Sequence, residues 1–86
     1  MYYVYILRSL RNGDLYTGFS KDLKSRIKTH FYRGVHSTAR MGKIELIFYE
    51  AFRSERDARR REKYFKTTKG KRTLKLMLKD SIGPIV

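Results

Sequence analysis

Cysteine is absent from this chain of 86 residues, and proline occurs once. Without cysteine, the protein has neither a disulfide framework nor a zinc site built on thiolates. The longest apolar run, residues 1–7, is far too short to cross a membrane, and no basic segment precedes it as in a signal peptide. We therefore expect a cytoplasmic protein without a membrane partner.

Acidic residues are scarce. Eight aspartates and glutamates stand against 21 lysines and arginines, which gives a formal net charge of +13. Repulsion among so many positive charges destabilises a small protein, and a polyanionic partner reduces that repulsion. Nucleic acid is the first candidate, and DNA is the form we expect. A membrane surface is a weaker candidate partner, because no predicted helix has a large apolar face. The remaining alternative is a basic surface that has no partner.

The length predicts a single domain over residues 1–80, with a tail over residues 81–86. Strands are predicted at residues 2–8, 15–19 and 43–52, and helices at 20–32, 54–66 and after Gly70. The order β-β-α-β-α-α predicts an α/β fold in which a small antiparallel or mixed three-stranded sheet is flanked by helices.

The Asn12-Gly13 pair predicts a tight hairpin between the first two strands, because both central residues of a type I′ turn need positive φ. A symmetric loop places Leu7 opposite Gly18. Tyr5, Tyr16 and Gly18 then share one face of the sheet, and Gly18, as a structural residue, leaves a gap on it. In this register Tyr5 and Tyr16 lie four positions, or roughly 13 Å, apart, so they meet only if the sheet twists.

The third strand has apolar residues on both of its faces. Leu46 and Phe48 fall on one face, and Ile47 and Tyr49 on the other. This pattern predicts a central strand that is covered on both sides.

Serine residues mark the predicted starts of the first two helices. Ser20 can cap the first helix, whose apolar stripe contains Leu23, Ile27 and Phe31. Ser54 fits a capping box that opens the second helix.

Glu62 stands among basic residues on the second helix, on the same face as Ala58 and Phe65. An acid on an inward face costs free energy unless it is paired or binds a metal ion. Pairing with Arg61 or another cation is the structural explanation. The functional explanation is a carboxylate ligand for Mg²⁺ or Mn²⁺, hard cations that prefer oxygen.

Arg26 and His30 lie four residues apart on the first helix and therefore on one side of it. Arg26 can hold a phosphate and stabilise negative charge in a transition state, and His30 can transfer a proton. The alternatives are an ion pair between Arg26 and Asp22 and a solvated or capping His30. For Tyr5 and Tyr16 the alternative is cross-strand packing.

More than half of the lysines and arginines lie between residues 53 and 79. They can contact phosphates without reading sequence, and the alternative is a charged face that meets only solvent. The candidates for nucleic-acid binding are Arg59, Arg60, Lys63, Lys66, Lys69, Lys71 and Arg72.

Taken together, these residues resemble the GIY-YIG nuclease family over nearly the whole chain. Tyr3-Val4-Tyr5 and Tyr16-Thr17-Gly18 stand at the two triplets of the family. Arg26, His30 and Glu62 match, in order, its helix-borne arginine, its histidine and its metal-binding glutamate. The chain is most similar to the short standalone bacterial members, which are themselves similar to the N-terminal nuclease domain of UvrC.

Three departures accompany the resemblance. Tyr3 replaces the first glycine of the family, and Thr17 replaces the central isoleucine of the second triplet, whereas the tyrosines that carry the chemistry are retained. Many members also use an asparagine near the end of the domain. The only asparagine here is Asn12, in the predicted turn.

The resemblance implies a divalent-metal-dependent endonuclease that hydrolyses phosphodiester bonds of DNA, selective for DNA structure and linked to repair or recombination. Glu62 would hold one Mg²⁺ or Mn²⁺, and Arg26 would stabilise the charge on the phosphate. Tyr5 would deprotonate the attacking water with help from His30 or Tyr16, and we expect Arg26 and the metal to lower the pKa of Tyr5.

Two other function classes remain open. One is a nucleic-acid-binding module that does not cut. The other is a subunit that docks on a larger repair protein through an apolar patch over residues 82–86. For the nuclease itself, so small a domain contacts little nucleic acid, and we expect specificity to come from a homodimer or a larger repair partner.

Overall fold

A computed structural model describes residues 1–32 and 42–82, except the side chains of residues 31 and 32. Its elements are β1 (Tyr2–Ser9), β2 (Leu15–Ser20), α1 (Leu23–Tyr32), β3 (Ile44–Phe52), α2 (Glu55–Phe65), α3 (Thr68–Met77) and α4 (Lys79–Ile82). The predicted α/β class and element order are confirmed, and α4 is an addition to them. Within this part of the chain, every helix is too short or too polar to span a membrane.

The sheet is antiparallel, with strand order β2-β1-β3. The prediction that the third strand is central is therefore wrong, because β1 occupies that position. The pairing of β3 with β1 shifts between Ile6 and Leu7, which face Phe48 and Leu46 respectively, so Ile47 is an extra residue. A bulge of this kind reverses the alternation of side chains, and it explains why the apolar pattern of β3 changes faces.

The β1–β2 hairpin has a longer loop than the predicted type I′ turn. Ser9 N donates to Asp14 O at 2.8 Å, and Gly13 N donates to Ser9 O at 2.9 Å. Gly13 has φ of 82°, whereas Asn12 has negative φ and accepts a hydrogen bond from Asp14 N at Oδ1 (3.0 Å). Only one residue of the pair thus adopts the left-handed conformation, and the predicted turn type is wrong.

The longer loop shifts the register of the hairpin by two residues. Tyr5 pairs with Gly18, and Leu7 pairs with Tyr16. A slip of two residues leaves every side chain on its predicted face, since only a slip of an odd number exchanges the faces. The predicted separation of four positions between Tyr5 and Tyr16 is wrong: they are diagonal neighbours, two positions apart.

Helices cover both faces of the sheet. On one face, α1 packs Leu23 and Ile27 against a cluster formed by Tyr5, Leu7 and Ile44. On the other face, α2 packs against β1, and α3 and α4 extend the same apolar cluster; its buried members are Val4, Ile6, Ala58, Phe65, Leu74 and Leu78. Each fully buried valine, leucine, isoleucine or phenylalanine side chain contributes roughly 1.5–3 kcal/mol of hydrophobic stabilisation.

The helices begin differently from the prediction. Asp22, not Ser20, caps α1 by accepting from Ser25 N at Oδ1 (3.1 Å), while Ser20 forms a turn with Asp22. Ser54 precedes α2, but its side chain makes no capping hydrogen bond. Thr67 caps α3, so this helix starts before Gly70.

The C-terminal helix α4 belongs to the packed body. Ile82 packs against the cluster around Val4 and Phe65. The predicted boundary between domain and tail, at residue 80, falls within α4. Most of the predicted apolar patch over residues 82–86 lies outside the described residues, as does the Phe31 side chain of the predicted stripe.

Candidate active site

A hydrogen bond between Tyr5 and His30 lies between the sheet and α1. The Tyr5 hydroxyl is 2.9 Å from His30 Nε2, although the two residues are 25 positions apart in the chain. Tyr5 is 1% exposed and His30 is 4% exposed. Their rings meet edge to face with centroids 5.7 Å apart. Burial and packing therefore hold both side chains in one orientation.

Gly18 makes room for the Tyr5 ring. A Cβ atom at position 18 would come within 2.7 Å of Tyr5 Cε2, and closer still to Cζ and the hydroxyl oxygen. Since real side chains do not approach so closely, the Tyr5 ring crosses strand β2 at the one residue that has no side chain. The glycine of the second triplet thus has a steric role in placing the hydroxyl.

Tyr16 completes an aromatic cluster with Tyr5 and His30. Its ring centroid is 6.4 Å from that of Tyr5 and 5.5 Å from that of His30. Tyr16 is partly exposed, whereas the other two are buried. The cluster therefore reaches solvent on the side of Tyr16.

Arg26 lies one turn before His30 on α1 and interacts with the hydroxyls of both tyrosines. Asp22, the alternative partner, uses its carboxylate to cap the helix. Arg26 is only partly buried, so it brings a positive charge to the solvent-facing side of the cluster.

Burial sets the protonation of the Tyr5–His30 pair. It raises the pKa of Tyr5 above the usual 10.0, and the hydrogen bond and positive charge of Arg26 oppose this rise without cancelling it. The prediction of a lowered pKa included Arg26 but omitted burial. Burial, with the nearby charge of Arg26, lowers the pKa of His30 below 6.5. At neutral pH, Tyr5 keeps its proton and His30 is a neutral imidazole that can accept one.

Glu62 approaches the cluster from α2. Its negative charge contributes to the raised pKa of Tyr5, so the two groups are close enough to interact electrostatically. Its side chain is 15% exposed and pairs with Arg59 at 3.5 Å and Lys66 at 3.1 Å. Arg61, the partner considered first from sequence, pairs instead with Glu50 at 2.8 Å.

The edge strand β2 is contacted by a side chain of α2. The Arg59 guanidinium lies over the ring of Phe19, 3.6 Å from its centroid, and Phe19 follows Gly18 in β2. α1 and α2 cover opposite faces of the sheet, and only a sheet edge gives both of them access to one site.

Glu62 is the residue that fits a divalent cation. Among residues 1–32 and 42–82, there is no group of three or more His, Cys, Asp or Glu side chains that could hold a metal ion. Mg²⁺ binds through as few as one or two carboxylates, with water and substrate phosphate as the other ligands. A single, mostly buried carboxylate matches that mode.

A basic groove of about 520 Å³ opens beside Tyr16. Its floor contains Phe65 and Leu74, and the end of the hairpin loop forms one wall. The basic side chains along it are Lys66, Lys71 and Lys75. Lys66 also pairs with Glu62 at 3.1 Å, so one cation of the groove contacts the candidate metal ligand.

The predicted nucleic-acid contacts separate into two groups. Lys66 and Lys71 line the basic groove, and Arg59 pairs with Glu62. The other four are exposed and do not line the groove; they are Arg60, Lys63, Lys69 and Arg72. Arg60 pairs with Asp57 at 3.1 Å. Lys75 was not predicted, although its spacing of four from Lys71 places both on one side of α3.

Comparisons with known proteins identify the family of this chain. A sequence model of the GIY-YIG catalytic domain matches residues 1–75. The UPF0213 protein CPE1444 of Clostridium perfringens is 37% identical over 83 residues, which cover 95% of this chain and 88% of the relative. The UPF0213 protein SSP2268 of Staphylococcus saprophyticus is 34% identical over 77 residues, which cover 88% and 93%. No solved structure matches the chain.

Proposed function

This chain belongs to the GIY-YIG family, and from that premise we propose that it is a divalent-metal-dependent endonuclease that hydrolyses phosphodiester bonds of DNA. The domain is of a nuclease type, and nuclease domains act on nucleic acid. The convergence of Tyr5, Tyr16, His30 and Arg26 opposite Glu62, at the edge of β2, is the observation that supports catalysis most directly.

In this mechanism the Tyr5–His30 pair removes a proton from the attacking water. The water donates its proton to the Tyr5 oxygen while Tyr5 passes its own proton to His30 Nε2, 2.9 Å away. A neutral His30 is required, and its lowered pKa provides this form at neutral pH. The hydroxide oxygen bonds to phosphorus as the bond to the leaving oxygen breaks.

Arg26 stabilises the negative charge that develops on the phosphate oxygens. Glu62 would hold one Mg²⁺ or Mn²⁺. When bound, such an ion polarises the phosphate and stabilises the leaving oxygen. Arg59 and Lys66 neutralise the Glu62 carboxylate in the absence of the ion, and both are free to turn toward the DNA backbone because about half of each side chain is exposed (54% and 55%).

The proposed substrate lies along the basic groove, with its phosphates near Lys66, Lys71 and Lys75. Contacts of this kind position the backbone and do not read sequence. We therefore propose selectivity for DNA structure rather than sequence, and a role in repair or recombination in which a second copy or a larger repair protein adds specificity.

The test compares two variants that remove the same charge. Glu62→Gln and Glu50→Gln each neutralise a carboxylate that pairs with an arginine of α2, Arg59 and Arg61 respectively. We expect wild-type protein and Glu50→Gln to cleave end-labelled flap, nicked or single-stranded DNA with Mg²⁺ or Mn²⁺, and Glu62→Gln to lose about 100- to 1,000-fold in rate. Equal cleavage by both variants, or cleavage in EDTA, would contradict the proposal.

A non-cutting nucleic-acid-binding module is the second candidate, and the position of Asn12 favours it. The Asn12 side chain is engaged within the hairpin loop, where Oδ1 accepts from Asp14 N at 3.0 Å, so it cannot replace the family asparagine in the site. This candidate predicts DNA binding without cleavage in either metal, and an unchanged or higher affinity in Glu62→Gln.

A further inference from the structure

The helix α1 has a second flank, opposite the side that carries Arg26 and His30. At 100° per residue, Lys24 and Lys28 project from the other side of the apolar stripe. Together with β3 they border a concave surface of about 730 Å³, which we term the α1–β3 groove. It is lined by Tyr3, Lys21, Asp22, Leu23, Lys24, Ile27, Lys28, Leu46 and Tyr49.

Two tyrosines form the aromatic part of this groove. Tyr49 pairs with Tyr5 in the sheet, and Tyr3 pairs with the neighbouring Ala51, so all share the face that α1 covers. Tyr49 nevertheless remains 52% exposed, because β3 is an edge strand and α1 leaves it open. The rings of Tyr3 and Tyr49 are 6.1 Å apart in an edge-to-face arrangement. Such a pair presents a rigid ring surface to solvent.

The charged part of the groove is almost entirely positive. Lys24 and Lys28 are exposed, and the Lys21 side chain is 70% exposed. Lys21 has an ion pair with Glu55 at 3.9 Å, which solvent screens strongly. Among the described residues that line this surface, Asp22 is the one acid, and its carboxylate caps α1.

A basic track beside exposed aromatic rings is the combination that holds single strands of nucleic acid, because every base can stack on a ring while its phosphate meets a cation. Duplex bases are already stacked and do not offer their faces to a side chain. We propose that the α1–β3 groove binds single-stranded DNA, with bases stacked on Tyr49 and Tyr3 and phosphates along Lys21, Lys24 and Lys28.

This inference rests on the proposed nuclease function and extends it. The catalytic cluster and the α1–β3 groove lie on opposite flanks of α1, so one substrate with a duplex part and a single-stranded arm can engage both. A second contact surface gives a small nuclease selectivity for branched or frayed DNA that the catalytic cluster does not supply.

The first experiment measures binding in EDTA, so that cleavage plays no part. The probe is labelled oligo(dT) of about 12 nucleotides, within the ~4–16-nucleotide range of small single-strand sites, followed by fluorescence anisotropy. We expect Tyr49→Ala to lose about 5- to 10-fold in affinity, at the low end of the stacking range, with an unchanged salt dependence. Tyr49→Phe retains the ring and the affinity.

Matched controls separate stacking and charge from general effects. Leu76→Ala truncates an apolar side chain that is 76% exposed on α3, and it should bind as wild type. Lys24→Gln should weaken binding and reduce the slope of log affinity against log salt by about 0.7, the value for one phosphate contact on a single strand. Arg56→Gln, on the outward side of α2, should leave that slope unchanged.

Three results would overturn the inference. The first is wild-type affinity for oligo(dT) in Tyr49→Ala. The second is an equal loss for a blunt duplex of the same length. The third is a shift of Tyr49→Ala from dimer to monomer in sedimentation, which would make a second copy of the chain the occupant. Failure of the nuclease proposal is recognised separately, as binding by wild-type protein without cleavage in Mg²⁺ or Mn²⁺.

Discussion

The Tyr5 hydroxyl and His30 Nε2 form a 2.9 Å hydrogen bond inside the protein, and neither group carries a charge at neutral pH. The same burial raises the pKa of Tyr5 and lowers that of His30, so the resting pair avoids a buried ion. A proton can pass from Tyr5 to His30 only when charge appears nearby. In the proposed reaction, that charge develops on the water oxygen as the water loses its proton and attacks phosphorus.

The pH dependence of cleavage should therefore follow His30. The pKa of His30 lies below 6.5, so the imidazole is neutral above that pH, and the rate should fall as the pH drops through the lowered pKa. His30→Gln should lose this acid limb and about 100- to 10,000-fold in rate. Single-turnover cleavage from about pH 5 to pH 8 measures both effects. An acid limb that persists in His30→Gln would assign it to another group.

The charge of Arg26 offers an independent test of the same geometry. Arg26 lowers the pKa of His30 and also lowers that of Tyr5 against the effect of burial. Arg26→Gln should therefore raise the pKa of His30 toward 6.5, although burial keeps it below that value, and should raise the pKa of Tyr5 further. NMR titration of the His30 ring protons in metal-free protein measures the first shift.

Lys24→Gln is the matched control for this titration. It removes a positive charge from α1 as well, but from the flank opposite Arg26. The pKa of His30 should stay at its wild-type value in this variant. An equal rise in both variants would mean that the net charge of the protein, rather than the position of Arg26, governs the titration.

The sequence predicted which face of the sheet carries the candidate residues but not how closely they approach. Face assignments tolerate a slip of two residues, so Tyr5, Tyr16 and Gly18 were placed together despite the wrong register. The register depended on the loop, where Ser9 Oγ accepts hydrogen bonds from two backbone amides and only Gly13 adopts positive φ. Hydrogen bonds between a side chain and the backbone of a loop cannot be predicted reliably from the sequence.

Tertiary packing accounts for the other differences between the predicted and the observed structure. The bulge at Ile47 cannot be recognised from an apolar run that fits alternation equally well without it. The raised pKa of Tyr5 depends on α1 covering the ring, which spacing along the chain does not report. The sequence does indicate Glu62 as a candidate site residue. An acid on the inward side of a basic helix costs free energy unless it has a partner, so its presence there calls for one.

Gly18 should be intolerant of any side chain. Gly18→Ala places a methyl group against the Tyr5 ring, which must then move with its hydrogen bond to His30. We expect a loss of about 1–3 kcal/mol in unfolding free energy, as for overpacking of a core, together with a loss of cleavage. Urea denaturation measures the stability change.

A double-mutant cycle with Tyr5→Leu assigns that cost to the contact. Leucine has no ring to cross β2, so the added methyl group has space, and Gly18→Ala should cost clearly less in the Tyr5→Leu background. The same cost in both backgrounds would show that the backbone at position 18, rather than Tyr5, requires glycine.

The basic groove divides the cations of α3 into two matched pairs. Lys71 and Lys75 line the groove, whereas Lys69 and Arg72 are exposed on the outward side of the same helix. Each double change to glutamine removes two positive charges, so the long-range attraction to DNA falls equally in both variants.

If duplex DNA lies in the groove, Lys71→Gln/Lys75→Gln should reduce the slope of log affinity against log salt by about 1.8, from two lost phosphate contacts. Lys69→Gln/Arg72→Gln should change it much less, and equal slopes in the two variants would place the DNA elsewhere on this basic surface.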